Sequence, residues 1–273
     1  NSVYIGGSAV ASSTLNTYAF QRTANANDDV RNNIFANART NGSGSALHYA
    51  YVLNRTTITQ TNYNLYYSPS GNMASVNGGT TSLASVQALK FSLTGKDLNS
   101  GSGDPAFNAP SSGTANLHLT SPSPAEGAGL DVGVTDDFDG DTRASFSPVD
   151  MGADAASLTA VDVYAPIVSV NAITNQAVCS GSINIPVTAT VNDVGSSGIA
   201  TGAYEPKLWW RLSSGTWASV SPTSVSAPTY TYDLAISGLI AGQTYEYYVA
   251  AQDLASTPNL GYSHFNATTP VHT

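Results

Sequence analysis

Four aspartates lie within six residues of the segment TDDFDGD, around Gly140. Carboxylate oxygens at this density are the ligands that a hard divalent cation such as calcium prefers, and without a cation they repel one another. The spacing differs from an EF-hand, because alignment on Gly140 puts Thr135 and Phe146 at the two end positions, where ligands are required. The segment is therefore a candidate calcium site, with the ligands Asp136, Asp137, Asp139 and Asp141.

The same segment also has a structural interpretation. Asp and Gly favour tight turns, so the aspartates could shape the chain where it closes a domain. Arg143 would then pair with one carboxylate, and Phe138 would pack into the core. The sequence leaves both interpretations open.

No complete catalytic site is predicted. Arg22, Arg31, Arg39 and Arg55 are spread along the chain, and few carboxylates accompany them. His48 and His118 lie among strand-forming residues, where a lone histidine is usually packed or exposed. Zinc-ligand spacing, a phosphate-binding glycine loop and a nucleophile elbow are absent from the sequence. We expect no enzyme in the chain shown, and no cofactor other than calcium.

Aromatic residues supply candidate ligand contacts. Tyr63 and Tyr66, with Tyr67 beside them, could form a flat platform for sugar rings. Trp209 and Trp210 are adjacent on a predicted strand, so their side chains point to opposite faces. One is expected in the core and the other at a surface that contacts a carbohydrate or a partner.

The composition excludes several classes of protein. The net charge is −9, with only 9 Lys and Arg, which argues against binding to nucleic acid or to an anionic membrane. No stretch approaches the roughly 18 apolar residues of a membrane-spanning helix, so no membrane insertion is expected. Hydrophobic residues make up 41% of the chain, enough for a real core. The single cysteine, Cys179, is expected to be a small buried residue.

The chain reads as an all-β protein. Short runs rich in strand formers, at residues 46–52, 62–67 and 244–251, are separated by clusters of Asn, Gly, Ser and Thr. The one predicted helical turn is at residues 82–91, where Ser82 could cap and Leu83, Val86, Ala88 and Leu89 could point inward.

Charge and composition divide the chain. Residues 126–162 hold nine acidic groups and one basic group, and after them the sequence becomes rich in Val, Thr, Ala and Tyr. We predict a first domain at residues 1–155, a linker at 156–165 and a second domain at 166–273. In the first domain, short strands without intervening helices favour stacked parallel coils over a sandwich.

The first domain resembles a known fold family. The segments VRNNIFANA, NYNLYYSPSG, SLASVQALKFSLTGKDLNSGSGDPAF, NLHLTSPSPAEGAG and VTDDFDGDTR, in this order, are similar to the C-terminal coils of bacterial right-handed parallel β-helix proteins of the pectate lyase type. The resemblance covers about residues 25–155. It implies a core containing Val30, Ile34 and Phe35, with asparagine ladders and left-handed turns at Asn32, Asn33 and Asn37. The fold is shared by enzymes and non-enzymes, so it fixes no activity.

The second domain resembles fibronectin type III and related immunoglobulin-like modules. Seven short strands are predicted between residues 167 and 268. The segment GLIAGQTYEYYVAAQD carries the resemblance, which implies that Leu239 and Tyr245 brace a corner of a β-sandwich. The run AQDLASTPNLG is similar to modules of secreted bacterial surface proteins, including substrates of type IX secretion.

These observations predict a secreted or cell-surface bacterial segment that serves as a stalk, an adhesin or an extracellular fibre component. Its expected partners are extracellular polysaccharide, other surface proteins or further copies of itself, joined end to end. The alternative is the C-terminal part of a polysaccharide lyase or hydrolase whose active site lies upstream, with the second domain as an accessory module. The chain begins at Asn1 with strand-like residues, so we expect further sequence before it.

Overall fold

The computed structural model describes residues 1–8, 12–24, 28–41, 44–54, 58, 60–77, 81–146, 148–176 and 180–264. Cys179 and Arg55, discussed above, lie outside these residues. The fold is all-β, with several sheets and very little helix. Among the described residues, no helix is long and apolar enough to cross a membrane.

The chain divides into two compact units, Asn1–Val163 (unit 1) and Tyr164–Thr273 (unit 2). This division lies within the linker that the sequence predicts at residues 156–165. The change in composition after the acidic segment therefore coincides with a change of structural unit.

Unit 1 contains twelve of the described strands and one α-helix. In chain order these are β1 (Ser2–Ile5), β2 (Thr17–Arg22), β3 (Asp29–Arg31), β4 (Ile34–Asn37), β5 (His48–Leu53), β6 (Gln60–Asn62), β7 (Leu65–Tyr67), β8 (Ala74–Val76), β9 (Thr81–Leu83), α1 (Val86–Ser92), β10 (Gly101–Ser102), β11 (Phe107–Ala109) and β12 (Asn116–Leu119).

Parallel pairing between distant turns of the chain organises unit 1. One sheet has the order β1-β4-β7-β10, in which Ser2 pairs with Ile34 and Ile34 with Leu65. The pairs β2-β5 and β3-β6 are also parallel, and in each the partners are 31 residues apart. The chain thus returns to the same sheets at a nearly constant interval. The interval from Leu65 to its partner Gly101 is longer, and α1 lies inside it.

Two pairings in unit 1 are antiparallel, unlike the stacked parallel strands expected from the sequence. Strand β9 turns back on β8, with Ala74 opposite Leu83. Strands β11 and β12 form a separate two-stranded sheet in which Phe107 pairs with Leu119. Both pairings follow the last strands of the parallel sheets, where the chain no longer continues the regular return.

An asparagine ladder runs along the turn between the third and first sheets. The side chain of Asn1 donates to Oδ1 of Asn33 at 2.9 Å, and that of Asn33 donates to Oδ1 of Asn64 at 3.1 Å. The residues just before the ladder positions, Asn32 and Tyr63, have positive φ angles of 55° and 54°. The ladder and the left-handed turn at Asn32 agree with the expectation for VRNNIFANA.

The interior of unit 1 is a stack of aromatic rings. Phe20 and Tyr51, on the paired strands β2 and β5, have ring centroids 5.2 Å apart, and Phe35 and Tyr66, on β4 and β7, have centroids 6.2 Å apart. Rings in this offset arrangement stabilise one another beyond their burial. Val30 and Phe35 belong to the same core, and Ile34 is also fully buried.

Helix α1 covers one part of this core. The side chain of Ser85 caps it by accepting the Ala88 N–H at 3.2 Å, so the cap is three residues later than the predicted Ser82. Val86 and Leu89 are buried in the core, as predicted. Leu83 is also buried, but it lies in β9 rather than in the helix.

Unit 2 contains eight of the described strands, paired antiparallel in two four-stranded sheets. They are β13 (Ile167–Val170), β14 (Ser180–Asn192), β15 (Lys207–Leu212), β16 (Ala218–Val220), β17 (Ser224–Ser226), β18 (Thr229–Ile240), β19 (Tyr245–Gln252) and β20 (Leu260–Tyr262). The sheet orders are β13-β14-β18-β17 and β16-β15-β19-β20. Val187 and Tyr232 of the first sheet share one core cluster with Leu208 and Val249 of the second.

Candidate functional site

The acidic segment of unit 1 is held in place by backbone hydrogen bonds to a second segment, residues 153–155. The Phe138 N–H donates to the Ala153 carbonyl oxygen at 2.9 Å, and the Ala155 N–H donates to Oδ2 of Asp137 at 3.1 Å. The next residue back, Asp154, accepts the Leu119 N–H of β12 at 2.8 Å through Oδ2. Three stretches of chain that are distant in sequence are therefore fixed side by side.

Asp137 shapes the turn within this segment. Its Oδ1 accepts the N–H groups of Asp139 and Asp141, both at 2.9 Å, in addition to the bond from Ala155 to Oδ2. Burial alone would raise the pKa of Asp137, but these backbone hydrogen bonds outweigh burial and lower the pKa. The carboxylate is thus committed to the turn, which is the structural role that the sequence left open.

The four predicted calcium ligands are not gathered around one point. Of these aspartates, only Asp139 belongs to a group of three or more potential metal ligands whose ligand atoms all lie within 4.8 Å of one another in the described chain. Asp136 is exposed and accepts a hydrogen bond from its neighbour Thr135. Calcium binding by all four would require the turn around Asp137 to rearrange.

Two details of the structural interpretation are also corrected. Phe138 is 80% exposed and does not pack into the core. Arg143 is buried and donates to the backbone carbonyl oxygen of Asp150 at 2.8 Å, rather than to one of the four aspartates. The turn is therefore held by main-chain contacts instead of an ion pair.

Asp139 lies next to a histidine that the sequence did not connect with it. Nε2 of His118, on β12, is 2.6 Å from Oδ2 of Asp139, and Asp154 completes the group. Both side chains of the close pair are partly exposed, whereas Asp154 is buried. The hydrogen bond to Asp139 raises the pKa of His118, and the negative charges of Asp139, Asp154 and Asp137 add to this effect. We call His118, Asp139 and Asp154 the HDD group.

No spacing in the sequence indicates the HDD group, because its members come from three separate stretches of chain. The only available signal was that NLHLTSP resembles a strand close to the acidic segment. Recognising the group required the hydrogen bonds that align these stretches.

A groove of about 780 Å³ lies beside the acidic segment. Its lining includes Arg31 and Asn32 on one side and residues 130–138 on the other, together with the buried Arg143. The exposed apolar side chains of Val134 and Phe138 belong to the same lining. The groove therefore combines apolar surface with charges of both signs.

The arginines proposed to stack on successive coils have structural partners. Arg22 pairs with Asp28. Arg31 binds Asp29 through two hydrogen bonds of 2.6 and 2.5 Å. Arg39 donates to the backbone carbonyl oxygens of residues 6 and 8. These three side chains hold the local backbone.

His48 is fully buried and bonded through both ring nitrogens. Nδ1 is 2.9 Å from the Thr17 hydroxyl oxygen, and Nε2 is 2.8 Å from Oδ1 of Asn41. Burial lowers the pKa of His48, and the charge of Arg39 adds to this shift. The packed role expected for this histidine matches its position.

The predicted tyrosine platform is split between the surface and the interior. Tyr66 has no exposed surface, so its ring cannot contact a sugar. Tyr63 and Tyr67 are partly exposed. The positive φ of Tyr63 interrupts the strand predicted at residues 62–67, so alternate residues do not share one face across it.

A buried polar cluster beneath α1 was missed by sequence reasoning. Asp97 has no exposed surface and accepts hydrogen bonds from the hydroxyl groups of Thr61, Tyr66 and Ser100, at 2.9, 2.9 and 2.6 Å. Burial lowers the pKa of the nearby Lys90 to about 8, against the opposing influence of the Asp97 charge. The cluster has no described opening to solvent among these buried side chains, which indicates a structural role.

In unit 2, Trp209 and Trp210 lie on opposite faces of β15, as predicted. Trp210 packs against the core cluster and has its ring centroid 6.1 Å from that of Tyr245. Trp209 stacks on Tyr248 at 6.4 Å, with the ring planes only 6° apart. Trp209 is therefore the better candidate of the two for a contact outside the core.

Arg211 extends the aromatic face around Trp209. Its guanidinium group lies 4.4 Å from the ring centroid of Trp217 and is 2.6 Å from the carboxylate of Glu246. Stacking on an aromatic ring together with ion pairing fixes an arginine side chain in one orientation. This face thus presents ordered aromatic and charged groups side by side.

The chain matches no protein-family model, no curated protein and no solved structure. Any function must therefore be argued from the geometry just described.

Proposed function

We propose that this chain is a structural or adhesive segment of a secreted or cell-surface protein. In this proposal unit 1 is the end of a parallel β-helix, and unit 2 is an immunoglobulin-like or fibronectin type III-like sandwich that continues it. The chain contacts extracellular polysaccharide or surface proteins and carries no active site of its own.

The observation that carries the proposal is the regular parallel return of unit 1. Strands β1, β4 and β7 lie side by side at intervals of 32 and 31 residues, with the asparagine ladder and the aromatic stack continuous across them. In a solenoid each coil buries its apolar face only against its neighbours, so such ladders are the expected source of its stability. A rigid stack of this kind suits a stalk or an extended binding surface.

The strand order of unit 2 supports the sandwich. If β13 to β20 are lettered A, B, C, C′, D, E, F and G, the two sheets read A-B-E-D and C′-C-F-G. The first order is that of an immunoglobulin constant domain, and the second contains its C-F-G sheet. Leu239 and Tyr245 both pack against the core near the start of β19, where such modules place their tyrosine corner. The Tyr245 hydroxyl group donates to Oε1 of Gln243 at 3.1 Å.

The roles of the basic residues favour the adhesive alternative over the enzyme. A lyase that acts on uronate polymers needs an exposed base and a group that neutralises the substrate carboxylate. In the described part of unit 1, Arg22, Arg31 and Arg39 hold carboxylates or backbone carbonyls, and Arg143 and Lys90 are buried. These side chains are occupied by the fold.

The test is a deletion in the cell that makes the parent protein. Removal of residues 1–273 is expected to reduce attachment of the cell or of the secreted protein to its surface, with polysaccharide turnover unchanged. The amount of secreted protein is measured in parallel, so that a failure of export is not mistaken for a loss of adhesion.

A second experiment addresses the enzyme directly. The purified chain is incubated with polygalacturonate, and the unsaturated product is followed by ultraviolet absorbance. Product formation above that of a heat-denatured sample would overturn the proposal in favour of a lyase. Unchanged attachment after the deletion would overturn the adhesive role.

End-to-end self-association belongs to the same proposal. Strand β1 is at the edge of its sheet, so one row of its backbone groups pairs with no described strand. Such an edge is a template for another strand. Sedimentation velocity over a range of concentrations is expected to show association of the purified chain, and a concentration-independent monomer would remove this part of the proposal.

A further inference from the structure

We propose that the HDD group, His118, Asp139 and Asp154, binds a divalent transition metal ion of the zinc class. The ligand atoms, one imidazole nitrogen and two carboxylate oxygens, all lie within 4.8 Å of one another. This site differs from the calcium site predicted at the four aspartates, and it does not depend on the proposed adhesive function.

The chemistry of the ligands selects the ion. Imidazole suits zinc and its neighbours in the transition series, whereas calcium takes six to eight oxygen ligands. The oxygen ligands that calcium would need are not available nearby, because both oxygens of Asp137 already accept backbone N–H groups. Three ligands from the protein leave a zinc ion with a position for water or for a partner group.

The ligands are held before any ion arrives. Asp154 is fixed to β12 by the hydrogen bond from the Leu119 N–H, next to His118. Oδ1 of Asn116 is 2.5 Å from Nδ1 of His118, which leaves Nε2 as the ring nitrogen that faces the carboxylates. A second-shell contact of this kind orients the imidazole in metal sites.

Asp154 gives an independent indication of a ligand. Its side chain is more than nine-tenths buried, and its one hydrogen bond from the described residues reaches Oδ2. Oδ1 therefore lacks a partner in the described chain. A buried carboxylate oxygen without a partner is costly, and a cation held between Asp154, Asp139 and His118 offsets that cost.

Binding requires a small local movement. Zinc ligands at about 2.0–2.2 Å in a tetrahedron lie about 3.4 Å from one another. The direct contact of 2.6 Å between Nε2 of His118 and Oδ2 of Asp139 must therefore open. Both side chains are more than 40% exposed, so they can move without disturbing the core.

The experiment is calorimetric titration of the metal-free full chain with zinc chloride. We expect one site, with the affinity at least tenfold lower in the His118→Ala and Asp154→Asn variants. Asp136→Asn, an exposed acid just outside the group, and His264→Ala, a histidine of unit 2, are the matched controls and should bind as the wild type does. The visible absorption of bound Co²⁺ provides a second readout, expected to disappear in His118→Ala.

Several results would overturn the proposal. These are the absence of zinc binding by the wild type, equal binding by His118→Ala, or an equal loss in Asp136→Asn and His118→Ala. Asp154 is buried, so its variant is compared with the wild type by circular dichroism in the presence of EDTA. His118→Ala changes a partly exposed residue and decides the question even if Asp154→Asn fails to fold.

Discussion

The hydroxyl group of Tyr66 donates a 2.9 Å hydrogen bond to Oδ1 of Asp97, and neither side chain has any exposed surface. Tyr66 belongs to the aromatic stack, whereas Asp97 follows helix α1. This bond therefore joins the interior of the parallel sheets to the segment that covers them. Burial raises the pKa of Tyr66, and the negative charge of Asp97 raises it further, so the hydroxyl group remains a donor well into the alkaline range.

Replacing Tyr66 by Phe is expected to destabilise unit 1 by about 1.5–3 kcal/mol, because Asp97 loses a donor that water cannot replace. All three tryptophans lie in unit 2, so their fluorescence does not report on unit 1. Hydrogen exchange of the β6 and β7 amides measures the change instead. Tyr63→Phe, at a partly exposed ring, is the control and should exchange as the wild type does. Equal exchange in the two variants would mean that the bond contributes no stability.

The buried Lys90 predicts a pH dependence of stability. Its pKa is about 8 in the folded chain and has the ordinary value of 10.5 when unfolded. Between these values the unfolded chain binds more protons, so the free energy of unfolding of unit 1 should rise with pH from about pH 8 upward. Below pH 8 the lysine is charged in both states, and its burial costs the fold roughly 3 kcal/mol.

Lys90→Met is the corresponding variant. We expect it to stabilise unit 1 at pH 7, with an advantage over the wild type that shrinks between pH 8 and 9.5. Denaturation followed by far-ultraviolet circular dichroism measures this difference, and tryptophan fluorescence of unit 2 is the internal control. A constant difference over this range would show that Lys90 is not the titrating group.

Asp137 and Asp136 are adjacent but have different structural roles. Asp137→Ala removes the acceptor of three backbone N–H groups and should destabilise unit 1 by about 1–2 kcal/mol. Asp136→Ala, at an exposed position, should change stability by less than about 0.5 kcal/mol. Both are measured by thermal unfolding in EDTA and in millimolar calcium. If calcium stabilises the wild type and both variants lose that gain equally, the calcium site predicted from the sequence is correct.

The two neighbouring tryptophans of β15 provide a test of the second domain. Trp210→Ala leaves a cavity against the core of unit 2 and should cost about 2–4 kcal/mol, measured by chemical denaturation. Trp209→Ala should cost less and instead reduce retention of the chain on insoluble polysaccharide. Retention equal to that of the wild type would remove Trp209 from the candidate contacts.

Much of the strand content was predictable, because it depends on local patterns. The strand predicted at residues 207–212 has the same bounds in the structure, and the strand at 230–236 lies within the longer β18. Alternating apolar and polar residues determine which side chains face a core, and this pattern can be read over five or six residues. The missed strand β17 is short and exposed along its whole length, so it has no such pattern.

The failures arise where distant parts of the chain decide the outcome. The left-handed conformation of Tyr63 splits a predicted strand in two, and a tyrosine gives no local sign of it. Tyr66 was placed on a surface because a strand was assumed to have one exposed face, whereas the aromatic stack surrounds it. His118 and Asp154 are brought together by a main-chain hydrogen bond between residues 35 positions apart. Such contacts leave no mark in local composition.

The constant return of 31 residues in unit 1 also has an evolutionary consequence. Duplication or loss of a whole return would lengthen or shorten the molecule by one strand spacing, about 4.8 Å, and leave every side chain on its original face. Insertion of one residue in a strand would instead turn the following side chains to the opposite face. Variation in length is therefore expected in whole multiples of this unit, with odd insertions confined to the turns. A protein built in this way can adjust its reach by gene duplication without redesigning the surface that it presents.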